Sequence, residues 1–151
     1  MCGELETGRS ETSELAPETI DAIVVDDSPF MVEGISQLLR RIRGVEVKGT
    51  ASDGIEGLNL ALATCPDLVV IDFQMPRMDG LTAARLIREA DPDVKIIVVT
   101  AHDLGAVRQN ALSSHADEVL CKQQLPSRLA ASIRAMFADR FVERNGNRRF
   151  K

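Results

Sequence analysis

Four short apolar runs in this chain each stop at a polar residue. Ala22-Ile23-Val24-Val25 runs into Asp26-Asp27, and Leu68-Val69-Val70-Ile71 into Asp72. Lys95-Ile96-Ile97-Val98-Val99 runs into Thr100, and Val119-Leu120-Cys121 into Lys122. A run this short that is apolar without alternation must be covered on both faces, which is how a strand of a parallel sheet reads. Strands starting near residues 22, 45, 68, 95 and 118 alternate with helical segments, a spacing that suits a repeated strand–helix unit with right-handed crossovers. Three carboxylates, a hydroxyl and an ammonium then fall at the carboxyl ends of parallel strands. That edge is where open α/β sheets bind ligands.

The 151 residues suit one domain with a substantial core and leave no room for a second. With no Trp or Tyr, that core is aliphatic. A net charge of −5 argues against general nucleic-acid affinity. No apolar stretch approaches the ~20 residues that span a bilayer. The first nineteen residues hold no apolar run of the kind a secretory signal needs, so a soluble, cytoplasmic protein is expected. Cys2, Cys65 and Cys121 match no zinc or redox spacing, and Cys65 and Cys121 are expected as small buried hydrophobes.

Residues 1–19 carry five Glu and one Arg with little apolar content, and read as an acidic flexible tail. Residues 20–138 form the folded unit. The stretch 139–151, with five basic and two acidic residues, is a basic extension. Within the folded unit, Ser28 with Pro29 marks the start of a first helix that Gly44 stops after Arg43. Asp53 caps a second helix, which ends before Cys65-Pro66. Asp79-Gly80 opens a third, with Leu81, Ala84, Leu86 and Ile87 roughly on one face. A fourth, from about Asp103 to Ser113, is weakly apolar, and Pro126 opens a fifth.

Like charges a few ångströms apart raise one another's pKa, so three clustered carboxylates are unfavourable when empty. A hard divalent cation resolves this, and Mg²⁺ is the natural one where carboxylates share the ion with phosphate and water. Lys122 adds a fixed positive charge and Thr100 a hydroxyl donor. A phosphoryl group on an oxygen of Asp72 would use all of these, since phosphoryl transfer needs mainly positioning and charge neutralisation. An ionised carboxylate needs no general base to act as nucleophile. Asp72, at the end of the most central-looking strand, is the candidate acceptor, with Asp26 and Asp27 holding the metal.

The segment I-D-F-Q-M-P-R-M-D-G from Ile71 to Gly80 closely resembles the phosphorylation loop of response-regulator receiver domains. V-V-D-D-S-P-F from Val24, V-V-T-A from Val98 and the lysine at 122 resemble the same family, over residues 21 to 138 or so. E-G-I-S-Q-L-L-R and S-D-G-I-E-G-L look most like receivers attached to NarL-type DNA-binding regulators. The resemblance implies a CheY-like, flavodoxin-like (βα)5 fold with a five-stranded parallel sheet in the order 2-1-3-4-5 and helices on both faces. It implies Asp72 as phospho-acceptor, Asp26, Asp27, Asp72 and the main-chain carbonyl of Gln74 as Mg²⁺ ligands, and Thr100 and Lys122 as phosphoryl contacts. The family's switch pair falls on Thr100 and Val119.

The chain departs from the family at several places. Val119 stands where receivers usually carry Tyr or Phe, so the expected activation runs through backbone shifts without an inward-turning ring. His115-Ala116 replaces the usual Gly-Ala before the fifth strand, and Gln123 stands where Pro commonly follows the lysine. Gln74 and His102 would flank the phosphoryl group, where the family tunes hydrolysis.

The expected function is a two-component switch. A sensor histidine kinase or phosphotransfer protein donates to Asp72 with Mg²⁺, and the modified pocket biases two conformations. Beyond accepting and slowly losing its own phosphoryl group, the protein is not expected to be an enzyme. Only 29 residues follow Lys122, fewer than the ~50–60 of a helix-turn-helix effector. Output is then protein contact through the fourth helix, fifth strand and fifth helix, a passive relay, or a partner chain, as monomer or phosphorylation-linked homodimer. No direct nucleic-acid or membrane partner is expected. The alternatives are a phosphate-independent interaction module and a receiver cut from a longer DNA-binding regulator. An aspartate-nucleophile hydrolase fits poorly, because Gln74 stands where such enzymes place an acid.

Overall fold

The apolar runs form a five-stranded parallel sheet in the order β2-β1-β3-β4-β5. In the computed structural model, which describes residues 19–101, 105, 109 and 115–141, the elements follow the chain as β1 (Ile20–Val25), α1 (Pro29–Arg40), β2 (Val45–Ala51), α2 (Gly54–Thr64), β3 (Leu68–Asp72), α3 (Gly80–Ala90), β4 (Lys95–Thr100), β5 (Glu118–Cys121) and α4 (Leu125–Met136). A single 3-10 turn over Lys122–Gln124 precedes α4. Of the helix expected from about Asp103 to Ser113, only Gly105 and Gln109 are described, and both are helical. The tails 1–18 and 142–151 lie outside the described residues.

Why these strands are apolar throughout is visible in the packing. Ala22, Val24, Val70 and Val99 meet Leu39 of α1 and Ile133 of α4 on one face. Val25, Ile71, Val98 and Val119 meet Ala84 and Ile87 of α3 on the other. Each such Val, Leu or Ile side chain, fully buried, stabilises the fold by about 1.5–3 kcal/mol before conformational entropy is counted. The edge strand β2 alternates instead, with Glu46, Lys48 and Thr50 exposed between buried Val45 and Ala51. No continuous run announces it for that reason.

The caps fall where the sequence places them. Ser28 Oγ accepts the Met31 amide at 3.3 Å, with Pro29 opening α1. Asp53 accepts from Glu56 and Asp79 from Thr82, both at 2.8 Å. One boundary differs. The first helix ends at Arg40, not Arg43, because Ile42 turns into the core and its amide bonds the Leu39 carbonyl at 3.0 Å. Gly44, at φ 92°, closes the turn into β2 rather than the helix.

The cysteine expectation is also corrected. Cys65 and Cys121 are half-buried, not core. Cys65 ends α2 in the left-handed region (φ 47°), and Cys121 is a free thiol at the end of β5.

His115 is left-handed too, at φ 70°, a conformation that favours glycine. The Arg88 guanidinium donates to its carbonyl at 3.0 Å and pairs with Asp117 at 2.6 Å, fixing the entry to β5. No helix among the described residues is long and apolar enough to cross a membrane.

Candidate functional site

Residues at equivalent strand ends meet because parallel strands in register finish at one edge. Val25 pairs with Ile71 across β1 and β3, so Asp26 and Asp72 come out side by side. A carboxylate oxygen from each of Asp26, Asp27 and Asp72 lies within 4.8 Å of the others. Asp26 and Asp72 are buried, whereas Asp27 faces solvent.

Asp26 Oδ1 accepts the Ser28 amide at 2.9 Å, which turns the carboxylate inward and leads the chain into α1. Its Oδ2 is buried as well. The compensating charge is Lys122, whose Nζ lies 3.2 Å from Asp26 Oδ2 and 3.4 Å from Asp72 Oδ1. The 3-10 turn after β5 starts at that lysine, and the Gln124 side chain accepts the Cys121 amide at 3.1 Å to hold it.

Burial and, after it, the Asp26 charge push the Asp72 carboxyl up to about 6, against the opposing pull of Lys122; Asp27 adds a smaller push. Burial works against the Lys122 ammonium, but Asp72 and Asp26 outweigh it and hold its pKa above the ordinary value.

When all are ionised, the three carboxylates exceed the one ammonium by two charges. Two buried carboxylates and a third open to water, answered by a single ammonium, form the all-oxygen donor set that a hard divalent cation takes. These residues fit Mg²⁺.

Three of the remaining expected residues lie on β4, on β5 and on the loop after β3. Thr100 ends β4, next to β3, and is fully buried. Val119 is buried opposite Val98 on β5. Gln74 is exposed on the loop that leaves β3. His102 lies outside the described residues.

The loop from Phe73 to Asp79 returns to its own start. The Gly80 amide bonds the Phe73 carbonyl at 2.9 Å, and a Cβ on Gly80 would stand 2.0 Å from the Asp72 carbonyl oxygen. Only glycine allows α3 to begin against the backbone of Asp72. One contact escaped the sequence reading: Arg77 Nη2 pairs with Asp53 Oδ2 at 2.7 Å. Asp53 was legible as a cap, but nothing linked it to a loop twenty-four residues on.

Residues 22–134 match the family described as the response regulator receiver domain. The probable transcriptional regulatory protein NarL of Mycobacterium tuberculosis is 32% identical over 117 residues, which are 78% of this chain and 54% of that protein. The response regulator UvrY of Escherichia coli O6:H1 is 32% identical over 119 residues, 79% of this chain and 55% of that one. The chain therefore spans about half the length of these curated relatives. Among solved structures, the signal receiver domain of Mycobacterium tuberculosis NarL superposes with a TM-score of 0.73 at 32% identity, covering 78% of this chain and 94% of that one. A LuxR-family two-component response regulator from Aurantimonas gives 0.76 at 33%, covering 81% and 87%.

Proposed function

The chain belongs to the response-regulator receiver family, and on that premise we propose that it is a phosphorylatable switch with Asp72 as acceptor. The observation that carries the reading is the convergence of Asp26, Asp27 and Asp72 around one point, with Lys122 bridging Asp26 and Asp72. The donor is a phosphohistidine on a sensor kinase or phosphotransfer protein. As the phosphorus–nitrogen bond breaks, an ionised Asp72 oxygen forms the new phosphorus–oxygen bond, and the leaving imidazole keeps its electron pair and takes up a proton.

Asp26, Asp27, Asp72 and the Gln74 carbonyl would hold Mg²⁺, which when bound neutralises charge on the transferring oxygens. Lys122 stands where it can shift its contact from the Asp72 carboxylate to the new phosphoryl oxygens. Thr100, one strand over, supplies a hydroxyl to the same group. Val119 carries no ring, so the response passes through the β4 and β5 backbones to the surface formed by the predicted fourth helix, β5 and α4. Output there is contact with a protein partner, in the cytoplasm. Beyond self-phosphorylation and slow self-dephosphorylation, no turnover is assigned.

A second reading has its own support: the matched stretch makes up only about half of each of these relatives. The same switch would then serve as the receiver part of a DNA-binding regulator.

The test is incubation with Mg²⁺ and acetyl phosphate, read by intact mass, beside Asp72→Asn and a metal-free control. One added phosphoryl group, lost in both controls, is expected. No addition to a protein that binds Mg²⁺ would replace the switch with a phosphate-independent interaction module.

A further inference from the structure

The loop that follows the acceptor is strained at one residue, and that residue makes one strong contact outside the loop. Arg77 lies at φ 68°, in the left-handed region. The Met78 amide bonds the Pro76 carbonyl at 2.8 Å, closing a three-residue turn centred on Arg77. Three-residue turns with a positive central φ are rare and strained, the more so at a non-glycine residue.

The other end of the contact is rigid. Asp53 is 2% exposed, and its Oδ1 is engaged by the Glu56 amide as the cap of α2. Its second oxygen, Oδ2, meets Arg77 Nη2 at 2.7 Å. Immediately beside it, a Cβ on Gly54 would stand 2.2 Å from the Met78 carbonyl oxygen, so the start of α2 lies flat against the strained turn. A charged carboxylate this buried, relieved by one guanidinium, is expensive to leave unpaired. The pair therefore holds the turn shut although the arginine itself is largely exposed.

We propose that Arg77, through Asp53, is a positioning residue for the phosphoryl-acceptor site. The ion pair keeps the loop after β3 in the closed turn, and that loop carries the Gln74 carbonyl that would be a ligand to the metal. Arg77 is paired with Asp53, and its effect passes through the backbone of Met75 and Pro76. The inference rests on the reading of Asp72 as acceptor with a metal beside it.

The test uses the whole chain with Arg77→Ala, Arg77→Lys, Asp53→Asn (which retains a capping oxygen) and the Arg77→Ala/Asp53→Asn double variant. Hydrogen exchange at the Met78 and Gly80 amides reads loop closure without metal. Calorimetric titration with Mg²⁺ alone reads the consequence, and thermal melting checks the fold. Expected are faster exchange at both amides and about tenfold weaker Mg²⁺ binding in Arg77→Ala, the scale seen when groups orienting a metal ligand are removed. Asp53→Asn should match it, the double variant should be no worse than either single one, and Arg77→Lys should recover most of the affinity.

Unchanged exchange, or faster exchange with Mg²⁺ affinity within twofold of the parent, would overturn the proposal and leave the pair as a loop staple only. A parent that binds Mg²⁺ but takes no phosphoryl group from acetyl phosphate would defeat the acceptor reading while the Mg²⁺ arm still decides Arg77. A parent that binds no Mg²⁺ would overturn both.

Discussion

Asp72, the proposed acceptor, also sits in the sharpest electrostatic conflict among the described residues. Burial and the Asp26 charge hold its carboxyl up to about 6, so below that pH it carries a proton. A metal ion must displace that proton to bind, and binding therefore releases it. Apparent Mg²⁺ affinity should fall as pH is lowered through 6. Calorimetric titration at about pH 7.5 and about pH 5 should differ by roughly tenfold, the drop in the ionised fraction of a group of that pKa. The direction is fixed by the sign of the shift: a carboxyl held at its ordinary value would stay ionised across this range and give a flat profile. Lys122 is the counterweight, since without it the two buried carboxylates would face each other with no opposing charge.

Between elements, the tightest junction is the start of α3 on the end of β3. A methyl group at Gly80 would collide with the Asp72 carbonyl oxygen at 2.0 Å. Gly80→Ala should lose at least about 2 kcal/mol in urea denaturation and slow phosphoryl uptake together with it, because the acceptor's own backbone must move. Gly34 is the control. It lies in α1 with open space where a Cβ would point, so Gly34→Ala should gain about 1 kcal/mol from helix propensity alone.

The same elements divide what sequence can tell from what it cannot. Strands β1, β3 and β4 were legible because two covering layers leave no polar position along Val24-Val25 or Val69-Val70. Asp26, Asp27, Asp72 and Lys122 were legible because parallel register carries strand ends to one edge. Arg77 was not, since an arginine gives no local sign of a positive φ that glycine would have announced. The early end of α1 was hidden for a related reason: Ile42 reads as another helical apolar residue until the core shows where it turns.

Across the whole molecule, the end opposite the carboxylates has its own fastening. Arg140, just past α4, pairs with Asp67 at 3.2 Å, donates to the Thr19 carbonyl at 3.1 Å and stacks 5.3 Å above the Phe137 ring. Asp67 also accepts the Asp21 amide at 2.8 Å, so one carboxylate gathers the entry to β1, the entry to β3 and the exit from α4. The groups are half-exposed, which keeps each contribution small. Arg140→Ala should cost about 1–2 kcal/mol and lower Tm by a few degrees. Phosphoryl uptake from acetyl phosphate should be unchanged, since the length of β3, about 16 Å, separates this fastening from Asp72.

That separation has a practical side. Thr19 and Arg140 meet at the pole where the strands begin, whereas the acidic edge lies where they end. A probe, tag or surface tether joined close to either of these residues is anchored behind the sheet, with the receptive edge turned outward. The molecule is polarised like an electrode, insulated at its mounting and bare at its tip. Immobilised from that side, it turns the proposed acceptor edge towards whatever phosphodonor the solution holds.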